Sequence, residues 1–472
     1  MNHELFRLTA IEVVDLLRPG EVTPTEVLEA SLARIAAVEP EVNALPVVCE
    51  QRARQAIAHL DTESVDRATG LAGLPIAIKD LAPVAGIRTT SGSTLFADHV
   101  PERSDLLVER LEGNGAIVVA KSNTPEFGAG ANTFNAVYGE TLNPWDTART
   151  AGGSSGGAAA ALASGEVWLA QGSDLGGSLR TPAAFCGVVG LRPSPGRVAR
   201  GPEGQSFDDG GVQGPMARNV ADAALFLDAM VGRDPRDPLS LDRPEVPFLE
   251  AVRRAEAPAR VAFSPDLDGF APVDAEVAAI CERAIRSLEP LGTEVVPACP
   301  DLTGLYEAYH ALRGQVFADL GQRLDAAARQ VVKPEIRANI EQGEQMTGAE
   351  LARARASRAR LYQEVVGFLT GHTILACPGA VVAPPPVEVR YLDELNGHRF
   401  ETYIDWVKVT FLATTVSCPA LVLPAGFTRD GLPVGLQLIG PPRGEATVLA
   451  VGAVLEQQLG LDARVPVEPR RR

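Results

Sequence analysis

Leu74-Pro75-Ile76-Ala77-Ile78-Lys79-Asp80 is an apolar run of strand length, and Ala116-Ile117-Val118-Val119-Ala120 is a second. Gly, Pro and Asn, the residues that end strands, punctuate the stretch from Leu71 to Arg200 around them. Between the two runs, Ser104 to Leu111 places its apolar residues at helical spacing. Strand, helix, strand predicts an α/β fold: a large, mixed central β-sheet covered by helices on both faces. Working outward, Val167 to Gln171 reads as another strand, and Thr373 to Ala376, Ala420 to Leu423 and Pro433 to Ile439 complete the sheet. Upstream, Thr23-Pro24-Thr25-Glu26 has the form of a capping box, and Leu28, Leu32 and Ile35 follow on one helical face. A helix is expected from Pro24 to Val38, stopping at Pro40. With Ile11, Val14 and Leu17 before it, residues 1–60 read as a helical segment packed on the core.

The chain has 472 residues, with 43 Lys+Arg against 60 Asp+Glu, a net charge of −17. An acidic chain argues against nucleic acid as the main partner. The run ARARASRAR from Ala352 to Arg360 has no interleaved aromatics and reads as a solvated helix face. Met1 to Leu5 lacks the basic start of a signal peptide, and no run of 18 apolar residues occurs, so a cytoplasmic protein with no membrane contact is expected. Six cysteines without a CxxC read as reduced core thiols. The histidines show no ligand spacing, so neither a metal nor another cofactor is expected. Val220 to Met230 reads as a helix, 233–259 as a surface connection, and 301–370 as mostly helical.

Three features carry chemistry. Only Lys79, Lys121, Lys333 and Lys408 are lysine; the other 39 basic residues are arginine. A lysine on a strand, facing the same way as small Ala77, offers an amine that burial can bring toward neutrality, which arginine cannot offer. The alternative is a strand-end lysine paired with Asp80 or another acid. Next, Gly152-Gly153-Ser154-Ser155-Gly156-Gly157 opens an alanine-rich helix, so its N–H groups and hydroxyls gather where phosphate, carboxylate or an oxyanion fits. It also satisfies the GxSxG nucleophile elbow, which needs a histidine: His310, His372 or His398. Otherwise it is a loop capping a helix. Third, Gly172-Ser173-Asp174-Leu175-Gly176-Gly177-Ser178-Leu179-Arg180 turns sharply at its glycines, so successive N–H groups converge near a serine hydroxyl, as in an oxyanion hole or a plain turn.

Together these stretches, with Pro182-Ala183-Ala184-Phe185-Cys186-Gly187-Val188-Val189-Gly190-Leu191-Arg192-Pro193 and Gly431-Leu432-Pro433-Val434-Gly435-Leu436-Gln437, resemble the amidase signature family. The likeness covers nearly the whole chain and is weakest across about 235–400. It implies one catalytic domain over 61–465, with the substrate pocket drawn largely from that variable region. It also implies a Ser–Ser–Lys triad: Ser178 as acylated nucleophile, Ser154 as bridging serine after a cis bond from Gly153, and Lys79 as base. The N–H groups of Leu175, Gly176, Gly177 and Ser178 would hold the oxyanion, and the loop Gly128-Ala129-Gly130 would pass the leaving group. Ser173 stands where relatives often have Thr, and Arg192 where Lys is usual. Lys121 and the pair Asp174–Arg180 are given structural roles.

The expected substrate is a small-molecule amide. Near Tyr403 to Lys408 the segment resembles free-standing amidases. The amidotransferase subunits that act on misacylated tRNA with partners carry an acidic residue there, where this chain has Val407. Tyr306, Tyr309, Phe317 and Trp406 are substrate-contact candidates, with core packing as the alternative. Dimers among relatives suggest a homodimer.

Overall fold

A computed structural model describes residues 2–61, 66, 69–202 and 206–471. Eleven strands form one sheet. Across it run Val47–Val48, Ile117–Ser122, Pro75–Lys79, Leu169–Asp174, Val212–Ala217, Val189–Arg192, Ala420–Phe427, Pro433–Ile439, Leu375–Pro378, Arg260–Phe263 and Glu294–Pro297. The middle is antiparallel, from the pairing of Leu169–Asp174 with Val212–Ala217 through to that of Pro433–Ile439 with Leu375–Pro378. Parallel pairs flank it, Pro75–Lys79 lying between Ile117–Ser122 and Leu169–Asp174. The expected mixed α/β architecture is therefore present.

Alternation along each strand feeds two apolar cores. Ile76 and Ile78 join one with Leu421, Leu423, Leu436 and Leu438. Ala77, Ala170, Ala420 and Val422 join the other. Burial on both faces explains why these strands read as continuous apolar runs. The second core includes the helix Gly156–Ser164, every residue of which is buried. Its alanines have the small side chains that let a helix lie close against a sheet.

The capping box is formed, Thr23 Oγ1 accepting from Glu26 N–H at 3.2 Å and Glu26 Oε2 accepting from Thr23 N–H at 2.8 Å. The helix runs from Pro24 to Val42, however, past Pro40. Proline in the last turn removes one intrahelical donor. The end is held instead by left-handed Asn43 and by the Glu39 carboxylate, which accepts from Ala44 N–H at 2.9 Å and Leu45 N–H at 2.7 Å. The first sixty residues are not only helical: Val47–Val48 is one of the sheet's two edge strands. The 233–259 connection contains a helix, Phe248–Arg253. Its first N–H groups donate to the Asp228 carboxylate at 2.8 and 2.9 Å, a cap twenty residues away in sequence. The arginine run lies on the helix Gly348–Thr370, where Arg358 pairs with Asp209 and Arg360 with Asp301. No helix among the described residues is long and apolar enough to cross a membrane.

Candidate active site

Lys79 ends the strand Pro75–Lys79, and the alternation that buries Ala77 turns its side chain toward the Gly/Ser loop opening Gly156–Ser164. The amine is fully buried. It lies 2.7 Å from Ser154 Oγ, 2.8 Å from Ser155 Oγ and 3.0 Å from Ser173 Oγ. Its backbone N–H donates to Gln171 Oε1 at 3.0 Å. Asp80 is not its partner. That carboxylate accepts from Thr90 Oγ1 at 2.5 Å and lies 3.6 Å from the Lys121 amine, which also donates to Ala82 O and Thr89 Oγ1. Lys121 is thus a structural cation. Burial lowers the Lys79 amine to about 7, only partly opposed by the negative charge of Asp174.

Ser154 and Ser178 both line a cavity of about 390 Å³. The Gly153–Ser154 peptide is cis. The two serine loops are tied together where Ser155 N–H donates to Ser178 O at 3.2 Å. In the second loop the N–H groups of Leu175, Gly176 and Ser178 have no acceptor among the described residues, whereas Gly177 N–H donates to Asp174 Oδ1 at 3.1 Å. Gly177 differs in this from the expected oxyanion donor. Its glycine is required by a φ of +94° and by the Thr410 side chain, 2.7 Å from where a Cβ would stand. Gly128 lies beside Ser154, since a Cβ there would sit 3.4 Å from Ser154 Oγ.

A buried ion cluster braces this loop. Asp174 pairs with Arg180 at 2.8 Å and Arg192 at 3.3 Å. Burial alone would raise the carboxyl, but the two guanidinium groups outweigh it and hold Asp174 well below the usual carboxylate range. Arg192, in the place where lysine is usual, also donates to Asp174 O at 2.7 Å. Burial lowers it to about 10.

Of the four aromatic candidates, Tyr309 and Phe317 line the cavity. Tyr306 instead donates to Asp405 Oδ2 at 3.0 Å, and fully buried Trp406 stacks on Phe185. The nucleophile elbow finds no histidine. His310 is bonded to Asp405, His372 to Phe368 O and His398 to Lys408, and none of the three lines the cavity. Sequence reasoning missed Ser155 and Ser173 as ligands of the amine. The signal was their place in the same Gly/Ser loops, but only the sheet brings those loops to one atom.

Fold and cavity together define an α/β enzyme that presents serine hydroxyls beside a desolvated amine. The amidase family model matches residues 26–449, and the chain belongs to the amidase signature family. It is 36% identical over 460 residues to an acylamidase of Rhodococcus erythropolis, covering 96% of each chain. It is also 36% identical to a glutamyl-tRNA(Gln) amidotransferase subunit of Moorella thermoacetica, over 98% of this chain and 99% of that one. The structure of a bacterial aryl acylamidase of the amidase signature family superimposes with a TM-score of 0.88 at 26% identity, over 97% of this chain and 98% of that one. The protein is an amidohydrolase.

Proposed function

We propose that the chain hydrolyses a small carboxamide to a carboxylate and ammonia or an amine through an acyl-enzyme on Ser178, with Ser154 as proton relay and Lys79 as base. The carrying observation is the fully buried Lys79 amine held among three serine hydroxyls. A neutral amine has two donors and one lone pair. Ser155 Oγ donates its own proton to Ser173 O at 3.3 Å, so it accepts from the amine. Of the other two hydroxyls, both of which line the cavity, Ser154 is the nearer and gives the lone pair a proton, while Ser173 accepts the second amine hydrogen. Ser154 then takes the proton of Ser178, whose oxygen attacks the amide carbon. The N–H groups of Leu175, Gly176 and Ser178 stabilise the resulting oxyanion, where losing one donor typically costs about 2.7–4 kcal/mol. Ser154 returns a proton to the departing nitrogen as the C–N bond breaks, and water attacks the acyl-enzyme by the same relay in reverse. Gly128 keeps the leaving-group side of Ser154 free of a side chain.

The similarity to glutamyl-tRNA(Gln) amidotransferase subunits favours a second reading, in which the chain works only with partners. Ammonia release separates the two. The purified chain alone is expected to release ammonia from simple carboxamides; release only after partner proteins are added would support the second reading.

A further inference from the structure

Tyr309, Arg313, Val316, Phe317 and Leu320 recur at helical spacing on Leu305–Arg323 and line the same cavity as Ser154 and Ser178. Tyr309 is 2% exposed, and its hydroxyl has no hydrogen-bond partner among the described residues. That hydroxyl stands against the donor loop, since a Cβ on Gly176 would overlap it. One helical turn further, Arg313 is 5% exposed, and its guanidinium stacks over the Phe317 ring at 4.4 Å. It donates to Asn339 Oδ1 and, at 2.5 Å, to the Tyr403 hydroxyl, both neutral groups. It forms no ion pair among the described residues. Two of its five N–H donors are used, leaving three.

The other charges facing the cavity have partners. Asp174 has Arg180 and Arg192, Arg200 has Asp208, and Asp319 has Arg323. Asp105 accepts from Leu107 N–H at 2.8 Å and Gln213 Nε2 at 3.0 Å. A buried hydroxyl without an acceptor and a buried guanidinium without a counter-ion are both costly unless a ligand completes them. One carboxylate completes both: it accepts a hydroxyl proton and bonds a guanidinium side-on.

We propose that Tyr309 and Arg313 form an anion subsite, which makes the substrate class an amide that also carries a carboxylate. The proposal rests on the acyl-enzyme reading for the place of the scissile bond. The four-residue step from Tyr309 to Arg313 rises about 6 Å, short enough for one carboxylate to reach both side chains.

The test compares kcat/KM for glutaramate and for pentanamide, a neutral amide of similar length, in the wild type and in Arg313→Met, Arg313→Lys and Tyr309→Phe. Glutarate binding by calorimetry and fluorophosphonate labelling of Ser178 are read alongside. The wild type is expected to favour glutaramate at least tenfold. That ratio should fall tenfold or more in Arg313→Met, recover in part in Arg313→Lys, and fall several-fold in Tyr309→Phe, which removes only an unpartnered hydroxyl and leaves the packing in place. Glutarate affinity should fall in step. A preference for pentanamide, or a ratio and glutarate affinity within twofold of wild type in Tyr309→Phe and Arg313→Met, overturns the subsite. Glutarate binding that depends on Arg313 in a protein whose Ser178 takes no label supports the subsite and counts against the acyl-enzyme reading instead.

Discussion

At the residue scale everything turns on the Lys79 amine. With its value lowered to about 7 by burial, the fraction of neutral base falls tenfold for each pH unit below that point. The pH dependence of kcat/KM on a simple amide is therefore expected to show an acidic limb of unit slope bending near pH 7 and a plateau above it. A limb still rising beyond pH 9 would mean an amine at its ordinary value of about 10.4 and a base that burial has not tuned. Lys79 was legible in the sequence because a lone lysine on an apolar strand is a local anomaly. Its partner was not. Asp80 is adjacent in sequence, but strand alternation sends it to the opposite face, where it meets Lys121. Tyr309 and Arg313 were equally obscure as a pair, since neither loop nor motif marks them and only the cavity gives them a common neighbour.

At the scale of elements, two glycine-rich loops are placed by the strand Leu169–Asp174 and the helix Gly156–Ser164, and the buried Asp174–Arg180–Arg192 cluster fixes the second. Asp174 also accepts from Gly177 N–H at 3.1 Å and Leu179 N–H at 3.0 Å, so its two oxygens shape the turn that carries Ser178. Asp174→Asn removes the charge and leaves two buried guanidinium groups without their shared counter-ion. The expected loss of unfolding free energy is about 3–5 kcal/mol, read from urea melts. A loss under about 1 kcal/mol would show that the loop does not depend on the cluster. The Asp174–Arg180 pair is legible in the sequence because both lie in one short turn. Arg192's share in it is not, since a strand two places along the sheet delivers it. Helix ends follow the same rule: the Thr23 capping box is local and legible, whereas the Phe248 helix starts on a distant carboxylate. The Pro24 helix overruns Pro40 because its own Glu39 side chain and left-handed Asn43 secure the end.

Across the whole molecule, residues far apart in sequence meet at one cavity: Ser154 and Ser178 from successive loops, with Lys79 of a parallel strand buried behind Ser154, and Tyr309 and Arg313 from a helix more than a hundred residues later. The N-terminal segment is tied in as firmly. Asp222 accepts from Ala10 and Ile11 N–H at 2.8 and 3.0 Å, and Arg34 donates to Ser164 O at 2.7 Å, at the far end of the helix that Ser154 precedes. The α/β class was readable because each strand and helix announces its own period. The order of eleven strands was not, since pairings such as Val189–Arg192 with Ala420–Phe427 span more than two hundred residues with no local trace. The central claim is that this assembly activates Ser178 through Ser154 and Lys79, and it is tested most directly by treating the purified protein with a fluorophosphonate and mapping the adduct by peptide mass. The account predicts a single adduct on Ser178 that is lost in a folded Lys79→Ala variant. An adduct on Ser154, or labelling of Ser178 that persists at the wild-type rate without Lys79, would contradict it.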